Sequence, residues 1–292
     1  MLTKPLRFFI YGRQFIMKKV LTLAGSDTSG GAGIQADLKT FQELGVYGMT
    51  ALTTIVTMDP KNGWHHQVFP QDIKTVESQL ETVLSVGIDA MKTGMLGSVE
   101  IIELASKLIE EQKLDKIVID PVMVCKGEDE VLHPETADAL RELLVPKATV
   151  VTPNLFEAWQ LAKTAGPLKT IDDLKEAAVK IYDLGPKYVL IKGGSKLKHE
   201  KAIDLLYDGK EFTIYESELV DTTYTHGAGC TYSAAITAEL AKGKTVLEAI
   251  QVAKDFITAA IANGFQLNEY VGPTMHGAYR NNKEHQTTIS SK

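Results

Sequence analysis

"KVLTLAGSDTSGGAGIQADLKTFQELG", Lys19 to Gly45, holds the pattern that decides the fold. An apolar, β-branched run ends in a polar cluster of glycines, and a helical stripe follows that stops at Gly45. The stretch reads as strand, tight turn and helix. The same order recurs down the chain. Apolar runs at "TALTTIVTM" (50–58), "DAMKTGML" (89–96), "KIVIDPVM" (116–123), "TVVTPN" (149–154) and "YVLIKGG" (188–194) predict five more strands. Between them fall helical patterns at 72–87, 99–113, 134–144, 154–163 and 171–185. Such alternation is the mark of βαβ units, so the fold class is α/β: a three-layer α/β/α sandwich around a mostly parallel sheet.

After residue 194 the pattern changes. "AIDLLYDG" and "EFTIYESELV" are alternating runs joined by "DGK", a hairpin signal. Two long helical patterns, 228–242 and 245–263, then form a C-terminal helical region. With no internal repeat and no Pro/Gly-rich linker, one domain is expected over 18–280, with a flexible tail at 281–292. The leader, 1–17, is weakly basic and aromatic, but Gly12, Arg13 and Gln14 interrupt its apolar run and no cleavage signal follows. It reads as a frayed or non-native extension, and Met17 as the more natural start.

Composition narrows the partners. The 292 residues are 44% hydrophobic and 23% charged, enough to bury a full core. A net charge of −6 argues against nucleic acid or an anionic membrane as the main partner, since a basic field is needed to reach polymeric phosphates. No apolar run approaches the roughly 20 residues that span a bilayer. Cys125 and Cys230 are too few for a disulfide framework and lack metal-ligand spacing, which favours a reducing, cytoplasmic setting.

In a sheet of this kind ligands bind outside the carboxyl ends of the strands, where this chain collects its glycines and charges. "GSDTSGGAG" (25–33) fits neither G-x-G-x-x-G nor G-x-x-x-x-G-K-[ST], so it serves equally well as a tight turn or a ligand loop. Asp27 tilts it toward a ligand, because a carboxylate there can accept from a substrate hydroxyl or ring nitrogen. Asp120 ends a strand, while Asn154 and Glu157 share one face of a helix's first turn. That oxygen-rich set suits Mg²⁺, yet the i, i+3 spacing alone favours a capping box. "IKGG", with Lys192, Gly193 and Gly194, can hold polyphosphate or be a solvated loop.

"THGAGC" (225–230) is the sharper signal. Gly227, Ala228 and Gly229 can form a turn whose N–H groups converge at the positive end of the following helix, a pocket for a phosphoryl group in flight. Cys230 in that field is expected to have a depressed pKa and to share a proton with an attacking hydroxyl. An arbitrary cysteine at a helix start is more often a small buried apolar group, but the flanking glycines reverse that order.

Taken together, "GSDTSGGAGIQADLKTF", "MKTGML", "DPVMV", "TPNLFEA", "IKGG" and "THGAGCTYSAA" resemble the ribokinase-like vitamin kinases, in the branch of pyridoxal and hydroxymethylpyrimidine (phosphate) kinases. The resemblance runs from about residue 18 to 280 and implies an ATP- and Mg²⁺-dependent transfer to a ring hydroxymethyl group. By this match Gly227–Gly229 form the anion hole and Cys230 stands where sugar kinases carry an aspartate base. Asn154, Glu157 and Lys192–Gly194 serve the nucleotide, Asp120 and Glu157 the metal, and Asp27, Gly33, Met58, His66 and Met95 the vitamin. A monovalent cation and a homodimer are further expectations. Pyrimidine kinases of the branch commonly have glutamine in place of Met58 and alanine in place of Cys125. Both departures resemble the two-cysteine pyridoxal kinases, in which a lid cysteine adds to the substrate aldehyde. The match therefore implies that "MVCKGEDEVLHP" is the lid and favours pyridoxal over hydroxymethylpyrimidine. A non-catalytic sensor is expected to have lost "GAGC", and a dinucleotide oxidoreductase lacks its glycine spacing.

Overall fold

Leu21 and Leu23 point to one side of the first strand and Val20 and Thr22 to the other, all of them fully buried. Burial on both faces is what a central strand of a helix-covered sheet requires. The computed structural model of the chain describes residues 17–123 and 134–281. Its strands are β1 (Lys19–Asp27), β2 (Tyr47–Asp59), β3 (His65–Pro70), β4 (Ala90–Thr93), β5 (Ile117–Ile119), β6 (Val150–Val151), β7 (Tyr188–Gly194), β8 (Lys201–Tyr207) and β9 (Phe212–Glu218). They form one sheet in the order β3-β2-β1-β4-β5-β6-β7-β8-β9. Strands β2, β1, β4, β5, β6 and β7 run parallel; β3 closes one edge antiparallel to β2, and β8 and β9 extend the other as an antiparallel hairpin.

All six strands expected in the parallel part are present, as is the 202–220 hairpin. The strand β3 is new. It is a short, largely exposed return of the long β2 through the turn at Asp59–Trp64.

The helices are α1 (Gly33–Glu43), α2 (Ile73–Ser85), α3 (Val99–Gln112), α4 (Pro134–Ala139), α5 (Leu155–Ala162), α6 (Ile171–Tyr182), α7 (Ala228–Ala241) and α8 (Val246–Ala262). Apolar residues of α2 to α6 pack on the sheet face that carries Leu21, Met91 and Ile191. Those of α1, α7 and α8 pack on the face that carries Val20, Val118 and Leu190. Helix α7 is buried nearly all round, from Thr231 to Ala241, and its alanines let it sit close to β1, β4 and β5.

β1 and β4 are neighbours, but the chain leaves β1 for β2 on one side and later returns to β4 on the other. The strand order reverses between them, and the crevice beyond their carboxyl ends is where such sheets bind ligands. Directly beneath lies a dry ion pair. Lys92 of β4 donates to Asp37 of α1 at 2.7 Å, and Thr22 of β1 donates to the same carboxylate at 2.6 Å. Both charged side chains are 0% exposed.

Removing one member of such a pair strands the other charge without water. Lys92→Met is expected to cost about 3–5 kcal/mol in urea unfolding, and Lys92→Met combined with Asp37→Leu to recover most of it. Equal losses in the single and double variants would show that packing volume, not charge pairing, sets the cost.

Candidate active site

The helices divide by how they begin. α2, α3, α5, α6 and α8 each start with a side-chain cap: Asp72, Ser98, Asn154, Thr170 and Thr245. α1 and α7 have none, starting at Ala32 and Gly227. These two uncapped starts face each other at the carboxyl ends of the central strands. A Cβ on Gly227 (φ +78°) would lie 1.8 Å from the Gly31 carbonyl oxygen, and one on Gly33 (φ +56°) 2.3 Å from that of Gly25. Only glycine fits at either position.

The anion hole expected from "GAG" is narrower than the motif suggests. The Ala228 N–H donates to the Thr225 carbonyl at 3.1 Å. The N–H groups of Gly227, Gly229 and Cys230 have no acceptor among the described residues and are left for a ligand. The Lys192 ammonium lies against the same spot, 3.4 Å from where a Cβ on Gly229 would be.

Lys192 ends β7 and donates to Asp120 at 2.8 Å. Asp120 also accepts from Thr152 at 3.3 Å and from Ser233 of α7 at 3.1 Å, which ties the strand ends to the helix. Next to them Asn154 and Glu157 form the complete capping box of α5: Glu157 N–H donates to the Asn154 side chain at 2.9 Å, and Asn154 N–H to Glu157 at 2.8 Å. The Lys192 N–H donates to Pro153, so α5 and β7 arrive together. The cap reading of this spacing therefore holds. Burial, opposed by Lys192 and reinforced by Asp120, also pushes the Glu157 carboxyl up to about 7. Glycines 193 and 194 accompany a register shift between β7 and β8, where a Cβ on Gly193 would meet the Ile203 carbonyl at 2.5 Å.

The Cys230 thiol overturns its expected acidity. Burial pushes it up to about 11; Lys92 and the Gly33 N–H oppose this, and Asp37 and Asp120 add to it. The helix start does not outweigh the lost water and two nearby carboxylates. In the ligand-free protein the group is a neutral thiol.

Asp27 closes its own loop. Ser29 donates to it twice, through N–H at 2.8 Å and Oγ at 2.7 Å, and Ala32 N–H donates at 2.8 Å. His226 Nε2 lies 2.7 Å away. Burial raises this carboxyl, but the bonds from His226 and Ser29 prevail and hold it at about 2. Met58 and His66 are cross-strand partners on β2 and β3, at the same end of the sheet. The Met95 carbonyl accepts from Thr53 at 2.7 Å, and its side chain backs onto Gly25. Cys125 and most of the segment expected as a lid lie outside the described residues. The sequence reading did not single out Lys92, Asp37, Ser233 or His226. A lysine inside the apolar strand "AMKTG" is the one signal that marked the first of these.

No three metal-ligating side chains cluster among the described residues. The donor set still fits Mg²⁺, which uses one or two carboxylates and completes its shell with water and phosphate oxygens. Asp120 and Glu157 would supply those carboxylates, and the Glu157 proton, held to about 7 mainly by burial, is one that a bound divalent ion would displace.

Comparison with known proteins agrees with this geometry. The profile of the phosphomethylpyrimidine kinase family matches residues 27–275. The chain belongs to that family. Within it, the pyridoxine kinase of Bacillus subtilis (strain 168) is 66% identical over 92% of this chain and 99% of its own length. Among solved structures, the ADP complex of Bacillus subtilis pyridoxal kinase superposes with a TM-score of 0.88 at 66% identity, over 90% of this chain and 99% of that one. The Staphylococcus aureus pyridoxal kinase in complex with AMP-PCP and pyridoxal gives 0.85 at 53%, over 90% and 95%.

Two titrations test these electrostatics. Folding holds the Glu157 proton to about 7, well above an unfolded carboxyl, so the native state binds more protons in that window and stability falls as pH rises through it. Glu157→Gln keeps the cap and should flatten the decline in melting temperature of the ligand-free protein from about pH 5 to 8. An unchanged slope would relocate the titrating group. In a Cys125→Ala background, alkylation of Cys230 at pH 7.5 should run about two orders of magnitude slower than that of a free thiol; a rate matching free thiol would contradict the half-buried, neutral state.

Proposed function

We propose that the chain transfers the γ-phosphoryl group of ATP to the 5′-hydroxymethyl group of pyridoxal, pyridoxine and pyridoxamine, making pyridoxal 5′-phosphate and its relatives in vitamin B6 salvage. The carrying observation is the uncapped start of α7 with the Lys192 ammonium against Gly229, beside the Asp120–Glu157 carboxylates. Relatives that match nearly end to end, and bind ADP, AMP-PCP and pyridoxal, support the substrates.

In this reading Asn154, Lys192, Gly193 and Gly194 hold the nucleotide phosphates, and the Gly229 and Cys230 N–H groups receive the transferring group. Charge is stabilised by donors already fixed in place, which is most of what phosphoryl transfer asks of a protein. Mg²⁺, held by Asp120 and Glu157 together with nucleotide oxygens, supplies charge neutralisation when bound. Met58, His66, Met95 and the backbone of Gly33 face the vitamin ring. Cys230 works as a neutral hydrogen-bond partner of the hydroxyl, not as a standing thiolate. In a loose transition state the hydroxyl becomes acidic only as its bond to phosphorus forms, so the proton leaves late and passes to an oxygen of the transferred phosphoryl group. Cys125 adds through sulfur to the aldehyde carbon of pyridoxal, forming a hemithioacetal. A reducing compartment and a homodimer complete the reading.

The family's name favours a second substrate, hydroxymethylpyrimidine or its phosphate. Steady-state kinetics separate the two. The expected order of kcat/KM is pyridoxal and pyridoxine above hydroxymethylpyrimidine, with Cys230→Ala binding ATP but losing about 100-fold in kcat or more. Cys125→Ala should lower turnover of pyridoxal and spare pyridoxine, which has no aldehyde. A preference for the pyrimidine would overturn the vitamin B6 assignment, and equal effects on both B6 forms would overturn the hemithioacetal.

A further inference from the structure

The bond between His226 and Asp27 enters none of the steps above, yet it joins the two loops that the reaction must bring together. The residues are 199 positions apart in sequence, both are buried, and Nε2 lies 2.7 Å from Oδ2. With a carboxylate as its partner, this nitrogen carries the proton and donates it.

Asp27 has no acceptor position to spare. A carboxylate offers about four lone-pair sites. Ser29 N–H and Oγ take Oδ1, and Ala32 N–H and His226 take Oδ2. The same carboxylate thus shapes the 27–33 loop and grips the residue immediately before Gly227. His226 is held in turn by the C-terminal segment: its N–H donates to the Gly272 carbonyl at 3.0 Å, and its carbonyl accepts from Thr274 at 3.3 Å. Its ring packs against Gly31, where a Cβ would come within 2.5 Å of Cδ2. Next in sequence, Gly227 crosses over the Gly31 carbonyl. One imidazole therefore sets the separation between the loop at the vitamin side and the start of α7.

We propose that His226 and Asp27 are positioning residues: their bond fixes the distance between the substrate hydroxyl and the N–H groups that receive the phosphoryl, and Asp27 does not itself bind the vitamin. The proposal rests on the kinase reading above for its catalytic consequence and on the loops' geometry for its structural one. Misplacement by about 1 Å costs on the order of 100-fold in rate.

The test uses the full chain with His226→Ala and His226→Gln, the second keeping a side-chain N–H of similar reach. His226→Ala should lower kcat for pyridoxal about 100-fold with the KM for ATP unchanged, and ATP hydrolysis without vitamin should rise relative to transfer. In the ligand-free protein, amide hydrogen exchange should increase together over 27–33 and 226–231. His226→Gln should restore most of both. Should His226→Ala not fold, Asp27→Glu, which displaces the carboxylate by one methylene, takes its place with the same expected split. Retained kcat, a glutamine variant as poor as alanine, or exchange that rises in one loop alone would overturn the clamp. If the wild-type protein phosphorylated none of the B6 forms, the kinase reading would fall, and the exchange measurement would still decide whether the loops are clamped.

Discussion

The carbonyl oxygen of Gly31 occupies the space that any side chain on residue 227 would need, 1.8 Å from an ideal Cβ. From this crossing much of the site follows. Residue 227 must be glycine, with φ +78°, so the most deeply buried helix of the fold starts at a residue with no side chain to cap it. A serine or asparagine there would satisfy one of the first N–H groups internally. The close approach of two loops thus leaves the donors of Gly229 and Cys230 open. Steric necessity and chemical use coincide at one residue. Five other helices, free of that crowding, close their starts with Asp, Ser, Asn or Thr.

Beneath the loops the sheet carries charges on a single face. Along the sheet Lys92 of β4, Asp120 just after β5, Lys192 of β7 and Asp204 of β8 point toward α1, α7 and α8, their signs alternating, and Asp37 and Lys254 complete the end pairs. The outer pairs are closed: Lys92 with Asp37, and Lys254 with Asp204 at 2.7 Å. The central pair is not. Lys192 is shared between Asp120 and the nearby Glu157, and burial, to which Asp120 adds, keeps a proton on Glu157 to about pH 7. Cys230 stays a thiol through burial first and the charges of Asp37 and Asp120 second. A divalent cation would offset both the Asp120 and Glu157 carboxylates and an incoming phosphate group.

The parallel strands were legible because burial on both faces demands continuous apolar runs, and the site because ligands collect where such strands end. β3 was not. "HHQVFP" is exposed along most of its length, so no apolar pattern marks it, and only the turn residues "DPKNG" before it hinted at a return. Residue types at the site were legible, but their partners were not. Nothing local to "GSDTSG" or "THGAG" says that Asp27 will meet His226. The acidity expected for Cys230 had the wrong sign for a related reason. The helix start is visible in its own sequence, whereas the carboxylates that oppose it come from α1 and the end of β5. Three of the four residues overlooked, Asp37, Ser233 and His226, are ordinary in their own stretch and acquire meaning from a contact across the fold.

For Asn154 and Glu157 the sequence posed a helix cap and a metal-binding pair as alternatives. Among the described residues the same capping box occurs three times, and comparing them shows that the alternatives do not compete. At Thr170–Asp173 and Thr245–Glu248 the capping carboxylates are exposed, and the N–H groups they accept from lower their pKa. At Asn154–Glu157 the hydrogen bonds are the same, but the carboxyl is buried and pushed up to about 7. Capping requires no burial, as the other two boxes demonstrate. Burial of this one, beside Asp120 and Lys192, carries a desolvation cost that the helix start does not repay. Such a carboxylate would suit a ligand, and the cap would fix its position before the ligand arrives.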